Sequence, residues 1–377
     1  VSNTILKDQV FAGLGVESLP NPNLKWEFTD QFDMGLDASF FDKRLNLTAD
    51  VYYKRTEDLL LRMPIPMSTG FRQRLTNIGN VENKGLELAL STINLKGKFK
   101  WTTDFTFSVN RNKVLDLGGA IQQTFTDQFT NGKFTGLLRV GESLGTWIGF
   151  ETNGVFSYDD FDENGAVIDT SHGTPSTVNT NSIPKLGDVK YVDQNNDGII
   201  DDNDLTIIAR TQPKNFGSMF NDFGFKGFNL GILITYKYGF DVINGNKHRM
   251  VATGYDQFNK TADLADHWTP KNTDTDVPRA DYQDTNFTDR FVEDGSFVRL
   301  QSVNLSYNLP FDDVQKLGFK SFKIYTNVDN LFVWTKYSGY DPEVSVARGQ
   351  QAVVTPNLDY GAYPRTLNIT LGFRVTF

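Results

Sequence analysis

A chain of 377 residues with 37 basic and 46 acidic side chains has a formal net charge of −9 and a pI near 5.0, so it lacks the clustered basic footprint of a nucleic-acid-binding protein. Cysteine is absent, which excludes disulfides, thiol catalysis and zinc–thiolate sites, and an aromatic content of 13% is too high for a disordered chain. No stretch approaches the roughly 18 apolar residues of a membrane helix, which leaves a soluble protein or a β-barrel.

The first residues, Val1-Ser2-Asn3-Thr4-Ile5-Leu6-Lys7, carry neither an initiator Met nor a basic-then-apolar leader, and read as an internal start. From Leu24 to Phe40 the even positions are Leu24, Trp26, Phe28, Asp30, Phe32, Met34, Leu36, Ala38 and Phe40; the odd positions hold no large apolar side chain. Period-2 alternation puts each set on one face of a sheet. The run would span about 56 Å at about 3.3 Å per residue, more than a bilayer core needs even when tilted. A turn at Asp42-Lys43-Arg44 follows, and Leu45, Leu47, Ala49, Val51 and Tyr53 resume the pattern. It recurs at Phe99, Trp101, Phe105, Phe107 and Val109, and again at Phe228, Leu230, Ile232, Ile234, Tyr236 and Tyr238. Leu367, Ile369, Leu371, Phe373, Val375 and Phe377 alternate with polar residues or glycine in the last segment.

These runs predict nine antiparallel spans at 24–41, 45–61, 75–93, 98–113, 214–225, 227–240, 290–309, 320–335 and 364–377. A greasy face and a strongly polar face on each span fit a lipid-facing exterior around a polar lumen better than a soluble core. Leu24, Trp26, Phe32, Leu230, Ile232, Leu371 and Phe373 are expected to face lipid. Short connections at 42–44, 94–97, 226 and 310–319 alternate with long ones at 62–74, 114–213, 241–289 and 336–363. Bacterial barrels keep short turns periplasmic, so the long connections are expected outside, with 114–213 a large excursion containing a local hairpin at 139–156.

Within that excursion lies Asp193-Gln194-Asn195-Asn196-Asp197-Gly198-Ile199-Ile200-Asp201-Asp202-Asn203-Asp204. A hard cation takes 6–8 oxygens on a tightly turned loop, and glycine permits the turn. The spacing therefore predicts calcium held by Asp193, Asn195, Asp197, Asp201, Asp204 and the Ile199 carbonyl. Asp204 replaces the usual final Glu, as in a weaker or dockerin-like site; the alternative is an acidic Asx turn without metal. Asp159, Asp160, Asp162 and Glu163 lack that spacing and read as a solvated loop. Gly141-Glu142-Ser143-Leu144-Gly145 matches G-x-S-x-G, but no helical period follows to make a nucleophile elbow. His172, His248 and His267 are scattered without metal spacing. Trp147, Phe150, Tyr255 and Trp268 could stack on sugars or peptides, or equally pack the long loops.

Several segments together resemble a known family. They are Asn21-Pro22-Asn23-Leu24-Lys25-Trp26-Glu27, the run from Thr76-Asn77-Ile78-Gly79-Asn80 to Leu88, Trp268-Thr269-Pro270, Glu293-Asp294-Gly295-Ser296-Phe297-Val298-Arg299-Leu300, Asn330-Leu331-Phe332, Lys336-Tyr337-Ser338-Gly339-Tyr340-Asp341-Pro342-Glu343 and Tyr363-Pro364-Arg365. In this order they resemble the C-terminal barrel portion of the SusC-like TonB-dependent outer-membrane transporters of Bacteroidetes, and Phe377 resembles the family's barrel-assembly signal. The resemblance implies an all-β chain over 1–377, part of a barrel of about 22 strands with a plugged lumen. Neither the plug nor the TonB box is recognisable. It further implies integral residence in the bacterial outer membrane, uptake of an oligosaccharide or peptide, and no enzyme activity. The implied partners are a SusD-like surface lipoprotein, outer-membrane lipid, the remaining barrel and plug segments, and TonB through those segments. The competing reading is a calcium-stabilised surface adhesin or binding module.

Overall fold

A computed structural model describes residues 2–6, 9–13, 19–71, 73–120, 122–126, 134–174, 184–251, 259–282, 286–310, 318–348 and 351–377. Nine strands form one antiparallel sheet: β1 (Phe28–Phe40), β2 (Leu45–Glu57), β3 (Asn80–Lys96), β4 (Phe99–Asp116), β5 (Asn215–Phe225), β6 (Phe228–Tyr238), β7 (Phe297–Asn308), β8 (Ser321–Thr335) and β9 (Asn368–Thr376). Each strand pairs with its predecessor in this series, so the sheet is a meander. It does not close: β1 and β9 are its two edges.

Register explains why two faces form. Phe32, Met34 and Leu36 oppose Tyr53, Val51 and Ala49; Val51, Ala49 and Leu47 oppose Leu86, Leu88 and Leu90; these oppose Val109, Phe107 and Phe105. Opposed residues share a face, so the apolar sets of successive strands join into one continuous band. The band is not covered by a second sheet. Trp26 is 92% exposed, Phe32 67%, Leu371 78% and Phe373 70%, with Leu24 exposed as well; Leu230 and Ile232 are half-buried among their neighbours on the same face. Polar groups straying onto this face satisfy one another: Asn221 Oδ1 accepts from Trp101 Nε1 at 3.0 Å and from Thr103 Oγ1 at 2.7 Å.

Short connections gather at one end of the sheet. Phe41, Asp42 and Lys43 turn with positive φ, and Lys226-Gly227 (φ 47° and 85°) has the two left-handed residues that a tight I′ hairpin turn demands. The long connections gather at the other end and carry their own structure. Leu60–Pro64 pairs with Gln73–Asn77. Thr206–Arg210, Thr146–Gly149, Thr135–Arg139 and Gln122–Thr126 form a four-stranded sheet, and Thr152–Val155, Val189–Val192 and His172–Gly173 a three-stranded one. The local hairpin expected at 139–156 is therefore corrected. Thr135–Arg139 pairs with Thr146–Gly149, whereas Thr152–Val155 joins Val189–Val192 in the other sheet.

The apolar core lies above the polar face, among these connections. Phe134, Trp147, Ile243, Phe287, Phe291 and Leu358 form its main cluster, which brings segments of three long connections together.

Candidate functional site

The polar face of the sheet and the connections stacked over its long-connection end make up the candidate site. Asp37, Asp50, Glu87 and Asp104 stand on the polar face, and Asp50 lies directly opposite Glu87 in the register. Thr48 donates to Asp37 at 2.6 Å and Ser91 to Asp104 at 2.6 Å. A wall of carboxylates, hydroxyls and amides is wettable and can present hydrogen bonds to a hydrophilic passenger.

At the upper end of this wall, Arg299 of β7 is only 1% exposed. Its guanidinium donates from Nη2 to Asp341 Oδ1 at 2.7 Å and from Nη1 to Asn330 Oδ1, and Nε lies 3.5 Å from Glu343 Oε2. Lys237 Nζ reaches Glu343 Oε1 at 2.7 Å, and Arg365 Nη1 reaches Glu343 Oε2 at 3.1 Å. The bulge that shifts register between Leu300 and Ser302 leaves Asn330 and Leu331 of β8 unmatched, and Asn330 takes a left-handed φ of 56°. That distortion re-aims a side chain, here bringing the Asn330 amide to Arg299. Three cations and two carboxylates thus clip the connection after β8 to β6, β7 and the approach to β9. No local motif announces this hub, because Arg299 and Asp341 meet across 42 positions.

Beside this hub the same connection is held a second time. Tyr337 Oη donates to Asp359 Oδ2 at 2.6 Å, and burial together with the Asp359 carboxylate pushes the Tyr337 phenol far up. Glu293 accepts from the Ser338 amide at 2.7 Å and hydroxyl at 2.8 Å, with Lys247 Nζ at 3.5 Å. Burial works against the Glu293 charge, yet the Ser338 donors and Lys247 outweigh it and hold the carboxyl below its ordinary value.

The 193–204 loop folds on its own amides. Asp193 accepts from the Asn196 and Gly198 amides at 2.6 and 2.7 Å, Asp197 from Ile199 at 2.8 Å, and Asn195 from Asp197 at 2.9 Å. Asp201 accepts from the Asn203 amide at 2.7 Å, and fully buried Asp204 accepts from Gln194 and Asp201 at 2.9 and 2.8 Å. Burial opposes ionisation of Asp193, but the amides of Gly198 and Asn196 prevail and hold it below the usual carboxylate range. Among the described residues no group of three or more His, Asp or Glu side chains is gathered to hold a metal ion.

The remaining sequence candidates are structural. Trp147 is fully buried with Nε1 donating to Pro356 O at 3.2 Å, and Phe150 and Trp268 are buried too, so all three pack the loops; Tyr255 lies outside the described residues. Ser143 sits in the turn after Thr135–Arg139, with Thr146 Oγ1 at 3.4 Å and no helix behind it. His172 meets Asp169 at 3.1 Å, His248 packs edge-on to Phe134 and Phe291, and His267 meets the Leu264 carbonyl. Acidic Asp160 caps its own turn and pairs with Lys190 at 3.0 Å.

A nine-stranded meander with an outward apolar band, a polar inner wall and structured connections at one end defines the wall of a transmembrane β-barrel. Residues 8–331 match the family model described as "TonB dependent receptor-like, beta-barrel", and the chain belongs to that family, whose members are outer-membrane proteins. It is 34% identical over 380 residues to TonB-dependent receptor P3 of Formosa agariphila, covering 99% of this chain and 36% of that protein. It is 26% identical over 372 residues to TonB-dependent receptor SusC of Bacteroides thetaiotaomicron, covering 95% of this chain and 32% of SusC. Among solved structures, that of the RagAB peptide importer in its closed-closed state superposes with a TM-score of 0.76 at 23% identity, covering 100% of this chain and 38% of the matched one. The chain therefore spans about a third of the length of the relatives it matches.

Proposed function

We propose that this chain supplies part of the barrel wall and the outer loops of a TonB-dependent importer that takes up oligosaccharides or peptides. The observation that carries the reading is the pair of faces on one sheet: an apolar band exposed outward, and a polar wall beneath connections tied together by the Arg299 hub. In this reading the short turns are periplasmic and the long connections extracellular. A SusD-like lipoprotein closes over those connections, and TonB transmits the proton-motive force through a plug contributed by other segments of the transporter. Passage needs no covalent chemistry, so no enzyme activity is assigned. The test is uptake of labelled oligosaccharides and peptides by cells expressing the intact transporter. Uptake that disappears on deleting TonB or collapsing the proton-motive force supports the reading. Unchanged uptake in cells lacking the transporter, with a defect only in surface attachment, would favour an adhesin.

We further propose that calcium orders the 193–204 loop. The support is the spacing of Asp193, Asn195, Asp197, Ile199, Asp201 and Asp204, and the second lone pair left on each carboxylate oxygen that accepts an amide. Calcium should then slow proteolysis of this loop, and Asp197→Ala should remove the protection without changing barrel insertion. Equal cleavage rates with calcium and with chelator would leave an acidic turn closed by its own amides.

A further inference from the structure

We infer that an aliphatic pocket on the inward face seats an apolar side chain of an amine-bearing peptide, which makes the cargo a peptide rather than a glycan; this rests on the importer reading above. The pocket has a volume of about 470 Å³, within the usual range of ligand sites. Its floor is the sheet itself: Thr56 of β2, Val81 and Asn83 of β3 and Val114 of β4 all project from the polar face. Its walls come from three connections, through Leu59 to Leu61, through Leu138 and Leu144, and through Val353 and Val354 of the short helix Gln351–Val354. Four separate parts of the chain therefore converge on one hollow.

The lining chemistry discriminates between cargo classes. Sugars are held by a flat aromatic face and a dense set of hydrogen-bond partners, and among the described residues the pocket is lined by no aromatic side chain. Leucine and valine dominate instead: Val81, Val114, Leu117, Leu138 and Val354 pack together as a buried floor, with Leu59, Leu61 and Leu144 against them and Val353 exposed beside them. Such a surface gains by taking aliphatic carbon out of water and gains nothing from hydroxyls.

Two carboxylates complete the site. Glu27 and Asp116 line the pocket and have no cationic partner among the described residues; Glu27 Oε1 accepts only the Leu60 amide, at 2.7 Å. Both carboxylates are exposed to solvent, and their negative charge, without a cationic partner among the described residues, favours a ligand with a cationic group next to its aliphatic one. A free α-amine beside a leucine-like side chain has that arrangement, and an uncharged glycan does not.

The experiment uses the full-length transporter, purified in detergent with any lipoprotein that accompanies it, and calorimetric titration with Leu-Gly-Gly, Ser-Gly-Gly, N-acetyl-Leu-Gly-Gly and maltohexaose. Leu-Gly-Gly should bind at least about tenfold more tightly than Ser-Gly-Gly, and N-acetylation should cost about three- to tenfold. Leu138→Phe, which fills the hollow, should abolish the preference for leucine over serine. Val353→Lys, at a position 49% exposed and so compatible with folding, should weaken Leu-Gly-Gly more than its acetylated form. Equal affinity for the leucine and serine peptides overturns the inference, as does peptide binding unaltered by both variants, which would mean that other segments of the transporter fill the hollow. TonB-dependent uptake of maltohexaose without peptide binding overturns it and leaves the importer reading intact. Leucine-selective binding without any TonB-dependent uptake would keep the pocket and remove the importer reading.

Discussion

Arg299 is the residue on which most of the upper architecture converges. A guanidinium this deeply buried is tolerable only because Asp341, Glu343 and Asn330 surround it. Removing it leaves Asp341, 8% exposed, without its nearest cation. Arg299→Leu is therefore expected to destabilise the 336–367 connection by about 3 kcal/mol, read as faster proteolysis of that connection while the sheet persists. Arg299→Lys keeps the charge but loses the forked geometry and should fall between the two. Glu293 gives a pH signature. Its carboxyl sits below the ordinary value in the folded state, so its contribution is present above the ordinary carboxylate pKa and is lost as pH falls through the lowered one. The protection factor of the Ser338 amide, its exchange rate referred to the intrinsic rate at each pH, should fall across that acidic window, and Glu293→Gln should flatten the dependence.

At the scale of the strand, side-chain parity decides everything. Leu371 of β9 faces outward at 78% exposure, while Thr370, which opposes Asn327, belongs to the polar face. Leu371→Arg is expected to cost about 2–4 kcal/mol of folding stability in vesicles if the position lies near the bilayer midplane, whereas Thr370→Arg should cost much less. The nine spans were legible because period-2 alternation is a local signal. Their ends were not, because alternation runs on through bends that only backbone geometry reveals. The first span, read from residue 24, starts as a strand at Phe28. Asp58 with φ 56° separates Leu60–Pro64 from β2, and Gly79 with φ 97° separates Gln73–Asn77 from β3. Val292–Asp294, read as the start of one span, pairs instead with Asp241–Asn244, and Gly295-Ser296 intervene before β7. The Arg299 hub and the aliphatic pocket were illegible for a different reason: both assemble from segments far apart in sequence, and no periodicity links them.

The molecule as a whole is a wall whose two surfaces solve opposite solvation problems. The apolar band would be an aggregation hazard in water, and in lipid it is the surface that needs no cover. The polar wall would be untenable in hydrocarbon, and in a lumen its carboxylates and hydroxyls stay hydrated. Both edges of the sheet expose backbone donors and acceptors, which in a membrane must be paired by further strands. This chain contributes no cysteine, so once any cysteine in the remaining segments is replaced a single spin label can be placed at any chosen position in it. The most direct test of the central claim is a label scan of positions 368–375 in the full-length transporter in lipid vesicles, with collision by oxygen and by a water-soluble nickel chelate. Oxygen access should peak at 369, 371, 373 and 375, and nickel access at 368, 370, 372 and 374. High nickel access at every position, or protection from both reagents at 369, 371 and 373, would contradict a lipid-facing wall.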